Sequence, residues 1–363
     1  MSRRISRAVQ VGDVKIGGGN PVVVQGMTKT DTRDAAATVA QIRSMAEVGA
    51  RVVRVAVPTR EAAEALSVIR RQSPVPLVAD IHFDYRLALK ALEAGVDKLR
   101  LNPGNIGEPD RVRQVVQAAK ERGIPIRIGV NAGSLEKHLL VRYGHPTPEA
   151  MVESAIEHLR ILWDLDFFDA VVSLKASTVP IMMQAYRLLA EQVDVPLHLG
   201  VTEAGTRFSG TVKSAIGIGS LLSEGIGDTI RVSLAAEPEE EIRVAREILR
   251  DLDLLNEGVN IVACPTCGRI QYDMQPVVDA VEKALANVKE PIRVAIMGCA
   301  VNGPGEAREA DIGIAGGKGG GLLFRHGEIV GRVEQDDLVE TVVREVQELI
   351  RTGSYGKGLH EVG

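Results

Sequence analysis

Cysteine is scarce in this chain: three in 363 residues, all beyond position 260. So small, odd and localised a count excludes a secreted disulfide framework and points to ligands or a redox site. Long hydrophobic runs are missing too. Nowhere do about 18 apolar residues follow one another, so no membrane span is expected. The N-terminal stretch MSRRISRAVQVGDVKIGG is charged but leads into no apolar signal segment, and a cytoplasmic location is the expectation. An excess of positive charge is likewise absent. The formal charge is -5 and the pI near 5.9, which removes the surface field that non-specific nucleic-acid binding requires. No Walker sequence occurs, so a nucleoside triphosphate is not indicated. The GGKGGG run at 316–321 lacks the flanks of a phosphate loop and reads as a turn-rich connection.

What is present is repetition. Up to residue 255, short β-branched runs alternate with amphipathic helical stretches, many of which end at glycine as a left-handed C-cap would. The strand-like runs fall at 21–27, 51–57, 75–81, 98–104, 124–133, 169–177, 196–205 and 228–236. Eight strands, each followed by a helix, in a length close to the typical ~250 residues predict an α/β TIM (β/α)8 barrel over 1–255. From 259 to 363 the pattern becomes strand, helix, strand, strand, hairpin, helix: a smaller α+β domain that holds all three cysteines.

Inside the barrel strands, polar residues stand between apolar neighbours. Side chains two apart share a face. If the apolar set packs outward on the helices, Arg54, Arg100, Asn102, Arg127, Lys175, His198, Arg231 and Ser233 point inward, most of them toward the C-terminal strand ends where barrel active sites are built. The plainer alternative is that these residues pair with one another or snorkel to solvent. Five of them are cations, whereas the acids assigned to the same rim are Asp80 and Glu203. That imbalance points to an anionic ligand, and arginine's planar fork suits phosphate or diphosphate.

Cys264 and Cys267 form a CxxC turn at one predicted strand end, and Cys299 lies at the end of another. Three thiolates can meet there to hold a 4Fe-4S cluster, leaving one iron open or completed by a non-cysteine ligand. Glu306, on the Gly/Pro-rich stretch after Cys299, is near enough in sequence to be that ligand. Two other readings stay open at this point. One is a structural zinc with a His or Glu as fourth ligand, where the domain offers only His326 and His360; the other is a CxxC without metal.

The residues resemble a known family, 4-hydroxy-3-methylbut-2-enyl diphosphate synthase, the iron-sulfur enzyme of the methylerythritol phosphate route to isoprenoids. The resemblance runs through VQGMT (24–28), VRVAVP (53–58), LVADIHFDYRLAL (77–89), KLRLNPGNIG (98–107), RIGVNAGSLE (127–136), VTEAG (201–205), GIGDTIRVSL (225–234), CPTCGR (264–269) and MGCAVNGPGEA (297–307), essentially the whole chain. It implies a 4Fe-4S cluster on Cys264, Cys267, Cys299 and Glu306. It also implies that Arg54, Arg100, Asn102, Arg127, Asn131, Lys175, Arg231 and Ser233 bind a cyclic diphosphate, with Glu203 as an acid/base group and Asn302 approaching from the cluster domain. The implied reaction is a two-electron reductive ring opening and dehydration of 2-C-methyl-D-erythritol 2,4-cyclodiphosphate, with flavodoxin or ferredoxin as donor.

The topology adds an expectation of its own. A helix over about 237–255 would end roughly 28 Å from the barrel mouth. The second domain therefore begins on the far side, and a homodimer in which each active site pairs one chain's cluster with the other chain's arginines is the simpler assembly. Two rival functions are a hydro-lyase that uses a three-cysteine cluster as a Lewis acid, and a phosphate-binding barrel with a structural zinc module.

Overall fold

The computed structural model describes residues 3–176, 178–265, 267–301 and 303–356. The chain divides into two units, Met1–Leu255 and Asn256–Gly363.

The first unit opens with a hairpin, β1 (Val9–Val11) and β2 (Val14–Ile16), paired antiparallel. The sequence reading did not foresee it, although VQVGDVKI carries the signal: alternating valines about a Gly12–Asp13 turn, with Gly12 at φ +58. Eight parallel strands follow, each leading to helix. They run β3 (Val23–Met27), α1 (Ala35–Glu47), β4 (Val52–Ala56), α2 (Arg60–Gln72), β5 (Leu77–Asp80), α3 (Tyr85–Glu93), β6 (Lys98–Arg100) and α4 (Pro109–Glu121). The second half holds β7 (Ile126–Asn131), α5 (Lys137–Tyr143), α6 (Pro148–Trp163), β8 (Ala170–Lys175), α7 (Val179–Gln192), β9 (His198–Leu199), α8 (Arg207–Ser223), β10 (Thr229–Ile230) and α9 (Pro238–Arg250). The strand order is β8-β7-β6-β5-β4-β3-β10-β9, and a bridge between Val172 and Leu197 closes the ring. The TIM barrel expected from the repeats is thus observed. Its last two strands are only two residues long, shorter than the runs at 196–205 and 228–236 suggested. α9 spans 13 residues, so it covers about 20 Å rather than ~28 Å, still from the mouth side to the opposite face.

The strand registers fix the heights of the inward side chains. Following the paired residues around the ring stacks them in layers of four from alternate strands, as in other barrels of this type. The lowest complete layer is Val52, Lys98, Val171 and Thr229. Above it lie Gln25, Val78, Arg127 and His198, then Arg54, Arg100, Ser173 and Arg231, then Met27, Asp80, Gly129 and Gly200. The hairpin closes the bottom, where Val11, Val14 and Ile16 pack on Val23, Val52 and Val78. The main apolar core lies outside the ring, between strands and helices. This inversion is the defining feature of the unit: oil outside the strands, charge inside.

The second unit carries a five-stranded sheet of β11 (Asn260–Ala263), β12 (Arg293–Met297), β13 (Ile312–Gly317), β14 (Gly320–Arg325) and β15 (Glu328–Glu334), in sequence order. The first three are parallel and the last three antiparallel. Helices α10 (Met274–Leu285) and α12 (Leu338–Thr352) join Val294, Ile296, Ile312 and Ile314 in one core. The other face receives α11 (Gly303–Arg308), a helix where a Gly/Pro-rich loop was expected. Pro304 is compatible with a first helical turn, where its missing N–H costs nothing. Gly313 lets the helix approach closely, since a Cβ there would lie 2.5 Å from Ala307 Cβ. Among the described residues, no helix is long and apolar enough to cross a membrane.

Candidate functional site

The barrel interior gathers six cations: Lys98, Arg127, Arg54, Arg100, Arg231 and, near the mouth, Lys175 at the end of β8. Two carboxylates answer them. Asp80 is buried and reaches Arg54 Nε at 3.5 Å and Arg100 Nη1 at 3.2 Å. Its carboxyl would be raised by burial, but Arg54 and Arg100 outweigh that and hold it below the usual range. The second acid is Glu241, from the first turn of α9, which is 2% exposed. It lies 3.6 Å from Arg231 Nη2 and 3.2 Å from Lys29 Nζ, and it accepts a hydrogen bond from the Leu234 backbone N–H. Sequence reasoning missed it because it is one of three successive glutamates at a helix start, where acids are expected on dipole grounds alone.

Burial governs the protonation of this interior. It pulls Arg54 down to about 10 despite Asp80. It lowers Arg127, Lys98 and Lys175 well below their ordinary values, and neighbouring guanidinium groups push the same way. The same two causes keep His198 neutral.

Not every residue expected at the mouth sits there. Arg127 and His198 are 0% exposed and lie in the layer beneath Arg54, Arg100 and Arg231. Lys98, lower still and equally buried, was not foreseen. Asn102 spends its amide on the neighbouring strand, donating to Gly129 O at 3.1 Å and accepting from Gly129 N at 2.8 Å. Gly129 itself makes room for Arg100: a Cβ there would lie 2.5 Å from Arg100 Nε. Asn131 ends β7 opposite Lys175. Ser233 follows β10 half-buried, two residues beyond Arg231. Glu203 is exposed on the connection after β9 and adopts φ +51, a left-handed conformation that a non-glycine residue holds at a cost of about 1–3 kcal/mol. It forms no ion pair with a barrel arginine among the described residues. A further polar chain steadies the mouth: Gly104 N donates to His158 Nδ1 at 3.2 Å, so Nε2 carries the proton shared with Glu136 at 2.9 Å.

The second unit brings the three cysteines together. Cys264, Cys267 and Cys299 line one recess of about 160 Å³, open solvent included, with Pro265, Ile270 and Gly298. Cys264 follows β11 and its N–H binds Ile296 O at 3.1 Å, which ties the CxxC turn to β12. Cys299, just after β12, is buried; Cys264 is half-buried and Cys267 exposed. Hydrogen bonds from the Arg269 backbone and guanidinium lower the Cys267 thiol, and Arg269 senses all three sulfurs. Gly298 and Gly316 permit the close approach of β12 and β13 here, since a Cβ on Gly316 would lie 2.5 Å from Gly298 C.

Glu306 is not among the residues that line this recess. It is exposed on α11, beside the buried Ala307. Asn302 and His360 lie outside the described residues. His326 pairs with Asp311 at 3.7 Å at the hairpin end, away from the sulfurs. Among the described residues, no three His, Cys, Asp or Glu converge on a single ion.

Comparison with known proteins places both units. Residues 6–246 match the GcpE TIM-barrel domain and residues 260–348 the GcpE protein C-terminal domain. The chain belongs to the GcpE family. It is 59% identical over 345 residues, 95% of its own length and 98% of the relative's, to the 4-hydroxy-3-methylbut-2-en-1-yl diphosphate synthase (flavodoxin) of Geobacter sulfurreducens. To the protein of the same name from Geobacillus thermodenitrificans it is 58% identical over 347 residues, covering 96% and 93% of the two chains. A solved structure, Yersinia pestis dihydropteroate synthase, aligns with 68% of this chain and 98% of its own at 12% identity and a TM-score of 0.49. GcpE membership agrees with the family resemblance seen in the motifs.

Proposed function

We propose that this chain is a 4-hydroxy-3-methylbut-2-en-1-yl diphosphate synthase. It reductively opens 2-C-methyl-D-erythritol 2,4-cyclodiphosphate with loss of water, using two electrons that arrive through a 4Fe-4S cluster. The observation that carries this reading is the interior charge: six inward cations against Asp80 and Glu241, in a chain whose close relatives bear that enzyme's name. Arg54, Arg100, Arg231 and Lys175 bind the two phosphates. Their fixed positive field stabilises the phosphate oxygen as it separates from carbon, a role that needs no reorganisation at the moment of reaction. Asn131 and Ser233 add hydrogen bonds at the rim, and Asn302 is proposed to do so from the second unit. Arg127 and His198, in the layer beneath, are proposed to complete the substrate-binding set.

Cys264, Cys267 and Cys299 suit an iron-sulfur group. Three thiols on one recess supply the donor atoms such a group prefers, and His326 is engaged elsewhere. Glu306 is the proposed carboxylate ligand. When bound, the cluster supplies electrons singly to the substrate. Glu203, on the connection after β9, is the proposed acid/base group that delivers a proton to the departing oxygen.

Flavodoxin or ferredoxin is the proposed donor, and flavodoxin appears in the relatives' names. The proposed assembly is a cytoplasmic homodimer with shared active sites. Two features support it. The barrel's last helix runs away from the mouth, and large apolar side chains stand exposed: Phe83 on the connection after β5 (76%), Val141 on α5 (86%) and Phe208 in the first turn of α8 (83%).

Anaerobic purification followed by iron and sulfide analysis, then turnover of the cyclic diphosphate with reduced flavodoxin, tests the proposal. Cys299→Ser is expected to lose the cluster's visible absorbance and all turnover. Zinc without iron, or turnover that needs no reductant, would overturn it.

A further inference from the structure

The ring of strands closes at a seam held by one bridge, between Val172 of β8 and Leu197 just before β9. There Val172 N donates to Pro196 O at 3.0 Å. Bonds in a parallel ladder are evenly spaced, so the next rung toward the mouth would run from Leu174 N to His198 O. That rung is not made directly. The hydroxyl of Tyr186, reaching in from α7, stands in it: it accepts from Leu174 N at 2.9 Å and donates to His198 O. A phenol has one donor and acceptor capacity to spare, so both backbone groups are satisfied through it. Tyr186 is 0% exposed, and burial raises its phenol above the ordinary value, so the proton stays on oxygen.

An oxygen inserted into a rung sets the two strands apart by roughly 2 Å relative to a direct N–H···O bond. On its other side β8 stays paired with β7 up to Asn131 and Lys175. The parting therefore falls on the β9 side at Leu174, and the next residue is Lys175. A Cβ on Gly200 would lie 3.0 Å from Arg231 O and 3.9 Å from Lys175 Cε. β9 thus keeps to β10 while the lysine stem occupies the room that the parted seam leaves over Gly200. Besides burial, the groups that act most strongly on the Lys175 ammonium are Arg54, Arg231, Arg127 and Arg100, all of like charge. Among the described residues no acid pairs with it. Its place depends on the backbone that carries it.

We propose that Tyr186 is a positioning residue for Lys175: standing in the rung between β8 and β9, it holds that strand end where the ammonium meets the anionic ligand beside the barrel arginines. The proposal rests on the reading that these cations bind the diphosphate. Tyr186 acts only through the strand, because its hydroxyl is spent on Leu174 and His198 and its ring packs in the outer core.

A double-mutant cycle read in two quantities tests this. Kd for inorganic pyrophosphate, from titration calorimetry of the full chain with its cluster, reports anion binding; Tm reports the fold. Tyr186→Phe deletes the hydroxyl alone and leaves Leu174 N–H and His198 C=O without that partner. Tm should fall by roughly 3–10 °C, and by the same amount when Lys175→Met is already present. Kd should behave differently. Tyr186→Phe by itself should weaken pyrophosphate about ten-fold, whereas on top of Lys175→Met it should change Kd by less than about two-fold. KM for the cyclic diphosphate should follow Kd, with kcat held within about three-fold. Equal weakening in both backgrounds, or a lower Tm with unchanged Kd, would leave Tyr186 a structural residue only and overturn the proposal. If Lys175→Met binds pyrophosphate as the unaltered chain does, the reading of Lys175 as a phosphate ligand fails, and the proposal falls with it. Should Tyr186→Phe not fold unaided, the whole cycle is measured in trimethylamine N-oxide, which favours the compact state.

Discussion

Asp80→Asn removes one negative charge from between two arginines while keeping the shape and an acceptor oxygen. At separations of 3.2 Å from Arg100 and 3.5 Å from Arg54, each attraction amounts to about 5 kcal/mol at an effective dielectric constant near 20. The desolvation cost of the carboxylate, several kcal/mol, is recovered when the charge goes, so the net loss expected for breaking a buried pair is about 3–5 kcal/mol. In a barrel of this size that corresponds to a fall in Tm of roughly 6–20 °C. Inorganic pyrophosphate should restore more of the lost Tm in the variant than it adds to the unaltered protein, because the freed guanidiniums gain a counter-ion.

The pH dependence has a definite sign. The folded carboxyl titrates below its ordinary 3.8, so its contribution is complete above that value and disappears as pH falls through the lower folded value. The gap between the two proteins should therefore close only in strong acid. Thermal melts of both proteins from neutral pH down to about pH 3 measure this directly. A variant that melts within about 2 °C of the parent at neutral pH would refute the reasoning. It would mean that the arginines are compensated by something other than Asp80.

Two further outcomes are expected at the proposed site. Glu203→Gln should lower kcat by about 10²–10⁴ with little change in KM, the pattern of a lost proton donor; a near-normal kcat in steady-state assays would remove Glu203 from the chemistry. Mixing Cys264→Ser chains with Arg100→Met chains should recover about a quarter of normal activity if sites are shared between chains. Half the dimers are then mixed, and each mixed dimer holds one intact site. No recovery after exchange of subunits would count against the shared arrangement.

The sequence alone determined which residues face the barrel interior. Alternation has a period of two, so Val53, Val55, Leu99, Leu101, Ile126 and Ile128 in the outer core force Arg54, Arg100 and Arg127 inward. It likewise brought Cys264, Cys267 and Cys299 to neighbouring strand ends. It could not set their heights. Depth in a barrel depends on the stagger between strands, a property of all eight pairings at once, and this is what sank Arg127 and His198 beneath the rim and hid Lys98. Nor could a local pattern single out Glu241 from Glu239 and Glu240, since only the path of the chain from β10 into α9 turns that one carboxylate onto Arg231. Periodicity is local and fixes a face; charge compensation is collective, and only the folded barrel decides which acid meets which arginine.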